Sequence, residues 1–342
     1  MIYGEYADDW TLDAQMRAGT KGMVTNMMTS IRLFAILSAC FCFAQAHGQP
    51  SQSVNPEAPS LSGKIQVGKA RVGDRDRSYE AYLPAGLASG RALVIVLHGT
   101  NSTGQRMRRA TGWIFETLAD RDGFVVAYPD GYQGSWHDCR KDVGSSARFA
   151  NVDDVGFLRA LIRSFASDFK IDPRKVYLFG FSGGGHMGFR MAFEAPNEIA
   201  AVAAVAANLP PPEGLSCAGD GTTPRVMLVN GTADPISPHE GGAHQAGGSV
   251  ISSRATAMTM AKRNNLPDPP TAKVIESSAK EIGASVQLLA WYRGGQPIVA
   301  LYTVNGGGHA IPQPVFRFPD SLGVTAQFDS PSAAWAFFSA QP

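Results

Sequence analysis

The feature that most constrains this chain is a glycine–serine–glycine turn between an apolar run and an amphipathic stretch. Residues 175–187 have the sequence KVYLFGFSGGGHM, and the run up to Phe181 has the aromatic and β-branched composition of a buried strand. Gly180, Ser182 and Gly184 form a Gly-x-Ser-x-Gly pattern, in which a tight strand-to-helix turn lifts a serine hydroxyl above a sheet edge. A β-carbon at either glycine would crowd so sharp a bend. The pattern predicts a strand, an elbow and a helix.

Two later segments supply partners for this serine. A free hydroxyl is a weak nucleophile at neutral pH, so it needs a base and a carboxylate that orients the base. Asp234 follows the apolar run 225–230, and His309 follows the run 297–304 in a loop with three glycines. An imidazole with a pKa near its usual value of about 6.5 is suited to take the hydroxyl proton and return it. We predict Ser182 as nucleophile, His309 as base and Asp234 as the orienting acid.

A fourth segment predicts a site for the negative charge that develops on an attacked carbonyl oxygen. The apolar strand 91–97 ends in His98-Gly99-Thr100. The amide of Gly183, directly after the serine, and the amide of Thr100 are the predicted donors. His98 and Trp136 are our candidates for lining the substrate pocket, and the alternative for Trp136 is packing within its own loop.

Other titratable side chains are placed less well for this chemistry. Asp153 and Asp154 precede the serine and are expected to anchor a helix N-terminus. His186 comes one helical turn after Ser182 and is expected to pack. Three further histidines follow no strand and are interpreted as loop residues: His137, His239 and His244. The sequence has no His-Glu-x-x-His and no cysteine pair at ligand spacing, so we expect no metal and no cofactor.

Length, charge and periodicity indicate the fold class. The chain has 342 residues and a formal net charge of +1, which disfavours nucleic acid and acidic membrane surfaces as partners. No stretch reaches the roughly 20 apolar residues of a spanning helix. Strands and helices alternate, which predicts one α/β domain over 63–342, with a mostly parallel central sheet and helices on both faces. Apolar periodicity predicts two antiparallel strands within 65–83, strands at 92–97, 124–128, 199–206 and 225–230, a hairpin of 286–293 and 297–304, and helices at 105–119, 153–168, 250–264 and 331–339.

The N-terminal segment, residues 1–46, has the pattern of a secretion signal. Arg32 precedes an apolar stretch over 33–43 and an Ala-x-Ala site, so we expect cleavage after Ala46 and a secreted or periplasmic protein. Residues 1–26 are polar and of mixed charge, and we interpret them as an over-long start.

Two further expectations concern the same region. Leu-Ser-Ala-Cys at 37–40 resembles a lipoprotein signal, and the alternative to cleavage after Ala46 is a lipid anchor at Cys40. Residues 47–62 are rich in Ser, Pro and Gln and are expected to form a disordered lead-in.

Removal of the signal leaves two cysteines, Cys139 and Cys217. In an oxidising compartment, two thiols in loops that follow strands are able to pair, so we predict a disulfide, the alternative being two free thiols.

Taken together, these segments resemble the polyhydroxybutyrate depolymerase and feruloyl esterase family of α/β-hydrolases, over about residues 63–340. The motifs that carry the resemblance are Leu-His-Gly-Thr at 97–100, Gly-Ser-Trp at 134–136, Asp-Asp-Val-Gly-Phe-Leu at 153–158, Gly-Phe-Ser-Gly-Gly-Gly at 180–185, Gly-Thr-Ala-Asp-Pro at 231–235 and Gly-Gly-His at 307–309. The resemblance implies an α/β-hydrolase fold and a secreted serine carboxylic-ester hydrolase that uses the triad named above. It also implies feruloyl, acetyl or hydroxybutyrate esters as substrates.

One departure bears on the substrate. Members of the family commonly have an aromatic residue two positions after the histidine, whereas this chain has Ala310-Ile311-Pro312. Two alternatives remain open: a serine peptidase of the prolyl-oligopeptidase type, which shares the triad order, and a non-catalytic binding module on the same fold.

Overall fold

A ten-stranded sheet organises the part of the chain that this computed structural model describes, residues 56–217, 219, 221–275, 285–322 and 328–340. Its strands are β1 (Lys64–Val72), β2 (Arg75–Leu83), β3 (Leu93–Leu97), β4 (Val125–Pro129), β5 (Val176–Phe181), β6 (Ala201–Val205), β7 (Arg225–Gly231), β10 (Thr271–Ile275), β11 (Val286–Arg293) and β12 (Gln296–Val304). A separate two-stranded ribbon is formed by β8 (Gly242–Ala243) and β9 (Ser249–Val250). The α-helices among these residues are α1 (Gly104–Ala110), α2 (Ile114–Asp122), α3 (Ser146–Phe149), α4 (Asp154–Asp168), α5 (Gly183–Glu194), α6 (Ser253–Arg263) and α7 (Ser330–Ser339).

The strand order is β1-β2-β4-β3-β5-β6-β7-β12-β11-β10. The six central strands from β4 to β12 pair in parallel, and the strands at both edges pair antiparallel. The carboxyl ends of the parallel strands therefore lie along one edge. Such an edge is where open α/β sheets place their ligands.

Side chains alternate between the two faces of the central strands, and each face is covered by helices. Val94 and Phe179 pack on one face with Phe115 of α2 and Phe338 of α7. The neighbouring residues of the same strands pack on the other face with α4 and α5, in a cluster that includes Leu93, Leu178, Phe157 and Met191. Strands buried on both faces have continuous apolar runs, which is why they are readily found in the sequence. The predicted mostly parallel sheet with helices on both faces is confirmed.

One predicted helix, 105–119, is wrong as a single element. Gly112 and Trp113 have φ values of 64° and 52°, so α1 ends and α2 begins at this point. A β-carbon on Gly112 would lie 2.7 Å from Cβ of Val315, so the break also allows close approach of another loop. Apolar periodicity continues across this break, and the pattern therefore does not reveal it.

The edge strand β10 was not predicted. Four of its five residues are exposed, because it has one neighbouring strand and its faces contact little of the core. A strand without a buried face has no apolar alternation, so periodicity gives no signal for it.

The predictions for residues 1–46 and for 47–55 lie outside the described residues. Residues 56–62, the rest of the expected lead-in, contain no helix or strand. Leu61 nevertheless packs against the core, and the amide of Ser62 donates to Asp120 at 2.7 Å. Tertiary contacts thus begin before residue 63. Among the helices that the structure describes, none is long and apolar enough to cross a membrane.

Candidate active site

Ser182 lies at the turn between β5 and α5, at the carboxyl edge of the sheet. Its φ and ψ are 51° and −116°, outside the regions that residues with a β-carbon ordinarily adopt. A β-carbon on Gly180 would lie 2.2 Å from the carbonyl oxygen of Gly184, and one on Gly184 would lie 2.3 Å from the carbonyl oxygen of Leu97. The Gly-x-Ser-x-Gly pattern is thus a steric requirement of this bend.

His309 connects the serine to a carboxylate. Its Nε2 lies 2.9 Å from Oγ of Ser182, and its Nδ1 lies 2.8 Å from Oδ2 of Asp234. A carboxylate oxygen accepts hydrogen bonds, so the ring carries its proton on Nδ1 and presents a bare Nε2 to the hydroxyl. Residues separated by up to 127 positions along the chain meet here in one chain of hydrogen bonds.

The side chain of Asp234 is held by backbone amides of the loop that follows it. Its Oδ1 accepts hydrogen bonds from the amides of Ile236 and Ser237, both at 2.8 Å, so Oδ2 is left for the imidazole. Asp234 and His309 are 8% and 4% exposed, so water competes little for the bond between them.

The two loops that carry these side chains touch because β7 and β12 are neighbours in parallel register, with Gly231 opposite Val304. A β-carbon on Gly231 would lie 2.1 Å from the carbonyl oxygen of Gly307. The amide of Ala233 also donates to the Gly307 carbonyl at 2.8 Å. A glycine at position 231 is therefore required by a close backbone contact that brings the acid and the base together.

The two predicted oxyanion donors lie next to each other beside the serine. A β-carbon on Gly183 would lie 2.8 Å from Oγ1 of Thr100 and 3.3 Å from its amide nitrogen. Gly99 is equally close to the elbow, since its β-carbon would lie 3.5 Å from Cβ of Ser182. Gly183 is the first residue of α5, where amides without a helical partner attract negative charge.

His98 and Trp136 are buried and hold the loop that carries Thr100. Nε2 of His98 accepts from the amide of Gly131 at 2.8 Å, its Nδ1 donates to the Gly99 carbonyl at 2.7 Å, and the indole N–H of Trp136 donates to the His98 carbonyl at 2.9 Å. The two rings lie against each other with centroids 5.0 Å apart. Burial lowers the pKa of His98 to about 4, so the ring is neutral. Trp136 is 2% exposed and directs its indole N–H to the loop after β3, whereas a contact of either ring with substrate stays a prediction.

The structure contains the predicted disulfide between Cys139 and Cys217. It joins the segment after β4 to the segment after β6, across 78 positions, with the two Cα atoms 5.1 Å apart. The amide of Ser216 donates to the Cys139 carbonyl at 2.8 Å, so the backbones also pair at this point. Cys139 packs in one buried cluster with Phe189 and Phe193 of α5, so the neighbouring Arg140 lies near this helix.

Two histidines for which the sequence predicted no catalytic role, His186 and His244, lie beside the triad. His186 is 1% exposed and packs with its ring centroid 5.6 Å from that of His244, which is also buried. Burial lowers the pKa of His186 well below 6.5 and that of His244 to about 4, and the positive charge of Arg140 acts on both in the same direction. Local sequence gives no signal for this pair, since His186 lies on α5 and His244 lies in the loop after Asp234. Among the described residues, no group of three or more His, Cys, Asp or Glu is placed to hold a metal ion.

Asp153 has the predicted role at a helix N-terminus, whereas the carboxylate of Asp154 bonds groups outside that helix. The carboxylate of Asp153 accepts from the amide of Gly156 at 2.7 Å and caps α4. Asp154 is fully buried, pairs with Arg77 at 2.7 Å and accepts from the amide of His137.

A mostly parallel, two-sided sheet with a serine-bearing elbow at its carboxyl edge defines an α/β-hydrolase. Within that class, the chain belongs to the esterase family described as Esterase PHB depolymerase, which matches residues 77–209. A relative named "Putative esterase NocK", from Nocardia uniformis subsp. tsuyamanensis, is 30% identical over 283 residues, covering 74% of this chain and 76% of the relative.

Other relatives carry more specific names. "Feruloyl esterase B" of Piromyces equi is 28% identical over 66% of this chain, and "Poly(3-hydroxybutyrate) depolymerase" of Ralstonia pickettii is 32% identical over 44% of it. The chain spans only 41% and 32% of these two proteins. Among solved structures, an acetyl xylan esterase from Aspergillus awamori matches with a TM-score of 0.54 at 19% identity, over 81% of this chain and 99% of that one. This likeness supports the fold.

Proposed function

We propose that this protein is a secreted serine carboxylic-ester hydrolase that works through an acyl-enzyme. The observation that carries the proposal is the continuous chain from the Ser182 hydroxyl through His309 to Asp234, with contacts of 2.9 Å and 2.8 Å.

The proposed acylation step follows from the proton positions. As Oγ of Ser182 attacks the ester carbonyl carbon, its proton passes to the bare Nε2 of His309, and Asp234 stabilises the imidazolium. The carbonyl oxygen becomes an oxyanion between the amides of Gly183 and Thr100. The imidazolium then returns the proton to the departing alkoxide, so that the alcohol leaves and the acyl group remains on the serine.

Deacylation repeats the sequence with water as the nucleophile. Nε2 of His309 takes a proton from the water as its oxygen adds to the acyl carbon. Collapse of the second oxyanion then breaks the bond between that carbon and Oγ of Ser182, which regains its proton from the imidazolium while the carboxylic acid leaves.

The proposed substrates are feruloyl, acetyl or hydroxybutyrate esters. The names of relatives support this range, since they include feruloyl esterases, acetylxylan esterases and a poly(3-hydroxybutyrate) depolymerase. A disulfide such as Cys139–Cys217 persists in oxidising compartments, which supports the proposed export.

The test combines one variant with a substrate panel. Ser182→Ala should abolish hydrolysis of 4-nitrophenyl acetate and labelling by a fluorophosphonate, while the melting temperature stays within a few degrees of the parent. The parent should hydrolyse at least one of methyl ferulate, acetylated xylan and hydroxybutyrate oligomers. Turnover retained by Ser182→Ala would refute the proposal, as would faster cleavage of aminoacyl anilides than of any ester.

A further inference from the structure

A buried polar cluster next to the triad has hydrogen-bond donors that face one another. It consists of Arg140, His186 and His244, which we call the donor cluster. Arg140 and His244 are 5% and 6% exposed. The cluster takes no part in the proton transfers proposed above.

The tautomer of His244 follows from its neighbours. The amide of Ala246 donates to Nδ1 at 3.0 Å, so this nitrogen carries no proton. The neutral ring therefore carries its proton on Nε2. This nitrogen lies 3.4 Å from Nη1 of Arg140, which is itself only a donor. Two N–H groups thus face each other, and no acceptor among the described residues lies between them.

The charge of Arg140 is already balanced. Its Nε and Nη2 donate to the carboxylate of Asp138 at 3.1 Å and 2.7 Å, and both side chains are buried. Nη1 is left with His244 as its only hydrogen-bond contact within the described ranges.

The ring nitrogens of His186 also lack hydrogen-bond partners among the described residues. The neutral ring has one N–H and one bare nitrogen, and neither has a hydrogen-bond partner in the described part of the chain. Buried polar groups are nearly always paired, and leaving them unpaired is costly. The backbone amide of His186 donates to the Ser182 carbonyl at 3.0 Å, so this ring stands one helical turn from the nucleophile.

These groups together fit a neutral hydroxyl. An oxygen about 2.9 Å from both Nε2 of His244 and Nη1 of Arg140 would accept from the two donors. The same hydroxyl would donate its proton in a hydrogen bond to the bare ring nitrogen of His186. A carboxylate fits less well, because Asp138 already neutralises the guanidinium and the charge of Asp234 also acts on His244.

We propose that the donor cluster is a subsite that binds a hydroxyl group of the ester substrate, through Arg140, His244 and His186. The inference rests on the proposed ester hydrolase and extends it, because it makes a hydroxylated ester the preferred substrate. The hydroxyl belongs either to the acyl group or to the alcohol, and the shared chemistry is the same.

The experiment compares kcat/KM for pairs of esters that differ by one hydroxyl. Methyl 4-hydroxycinnamate against methyl cinnamate and methyl 3-hydroxybutyrate against methyl butyrate test the acyl side. The monoacetate of 1,2-cyclohexanediol against cyclohexyl acetate tests the alcohol side. We expect a preference of about 10- to 100-fold for the hydroxylated member of at least one pair, and that pair shows which side carries the hydroxyl.

Substitutions assign the preference to the cluster. His186→Leu, similar in size and without polar atoms, and His244→Gln should each reduce the ratio to within about threefold of one. His239→Gln is the matched control: this histidine lies in the same loop as His244 but faces Glu240 and Thr303, so the ratio should stay at the parent value. Thermal melting identifies folded variants, and His244→Gln decides the matter if His186→Leu does not fold.

Each result has a clear consequence. A parent ratio near one in all three pairs overturns the inference. A preference that persists in the folded variants also overturns it, because a group outside the donor cluster then recognises the hydroxyl. The proposed hydrolase stands in both cases if Ser182→Ala is inactive and the parent is labelled by the fluorophosphonate.

Discussion

Replacing Asp234 by asparagine should inactivate the protein by reversing the tautomer of His309. Oδ1 of Asp234 accepts two amide hydrogen bonds at 2.8 Å, and Oδ2 accepts one from the imidazole. An asparagine has a single side-chain oxygen, which will occupy the position with two donors. Its NH₂ group then faces Nδ1 of His309, and that nitrogen must become the acceptor. The ring proton moves to Nε2, which is no longer able to accept a proton from Ser182.

The expected loss is about 10⁴-fold in kcat, the size of the effect when a triad acid is made neutral in serine proteases, or about 5 kcal/mol of barrier. The assay is steady-state hydrolysis of 4-nitrophenyl acetate, together with the rate of fluorophosphonate labelling, which should fall in parallel. The disulfide and the melting temperature should be those of the parent, because the two amide bonds to the side chain are kept.

A matched control is Asp153→Asn, which makes the same change at the cap of α4. It should leave kcat within about twofold, since within the described part of the chain this carboxylate bonds only the amide of Gly156. A folded Asp234→Asn protein with more than a tenth of the parent kcat would refute the assignment of the proton to Nδ1.

Three other perturbations test separate parts of the structure. Replacing Cys139 and Cys217 by alanine should lower the free energy of unfolding by about 4–5 kcal/mol, because the bond closes a loop across 78 positions. Denaturant titration measures it, and a change below about 1 kcal/mol contradicts the loop-closure argument. His98 has a pKa lowered to about 4 by burial, so the unfolded chain, titrating near 6.5, binds the proton first. The contribution of neutral His98 to the free energy of unfolding is therefore complete above pH 6.5 and is lost as the pH falls towards 4. The loss amounts to about 2 kcal/mol at pH 5. Urea unfolding at pH 5 and pH 8 measures this loss. His98→Gln should show a smaller difference in the free energy of unfolding between the two pH values than the parent does. An equal difference in the two proteins rules out His98 as the source of the loss. Trp136→Phe removes the donor to the His98 carbonyl and should lower kcat several-fold through the Thr100 loop, with KM little changed. A raised KM with unchanged kcat would instead show that the indole contacts substrate.

Much of this fold was predictable from sequence because its central strands are buried on both faces. Runs such as 93–97 and 176–181 are entirely buried, so each position is apolar or small and the run stands out from its surroundings. The loops after such strands carry the candidate triad and the predicted oxyanion donors, and parallel pairing places the ends of these strands at one edge. The order of motifs along the chain therefore indicated the site, although not its distances.

The features that the sequence did not predict have no local pattern of residues. The break between α1 and α2 occurs where Gly112 and Trp113 have positive φ values and where the loop near Val315 approaches Gly112. The donor cluster joins a residue beside the disulfide, one on the elbow helix and one in the loop after Asp234. His186 and His244 are unremarkable in sequence, and their chemistry appears only where burial removes water and brings their nitrogens together.

The sequence by itself determined the chemical inventory and the alternation of strands and turns, because side-chain polarity and glycine sterics act between near neighbours along the chain. Only the tertiary structure decided which groups are paired and which are left without partners. Hydrogen bonds act over about 3 Å and are directional, so whether Asp234 meets His309, or Arg140 faces a second donor, depends on how distant loops fold against one another.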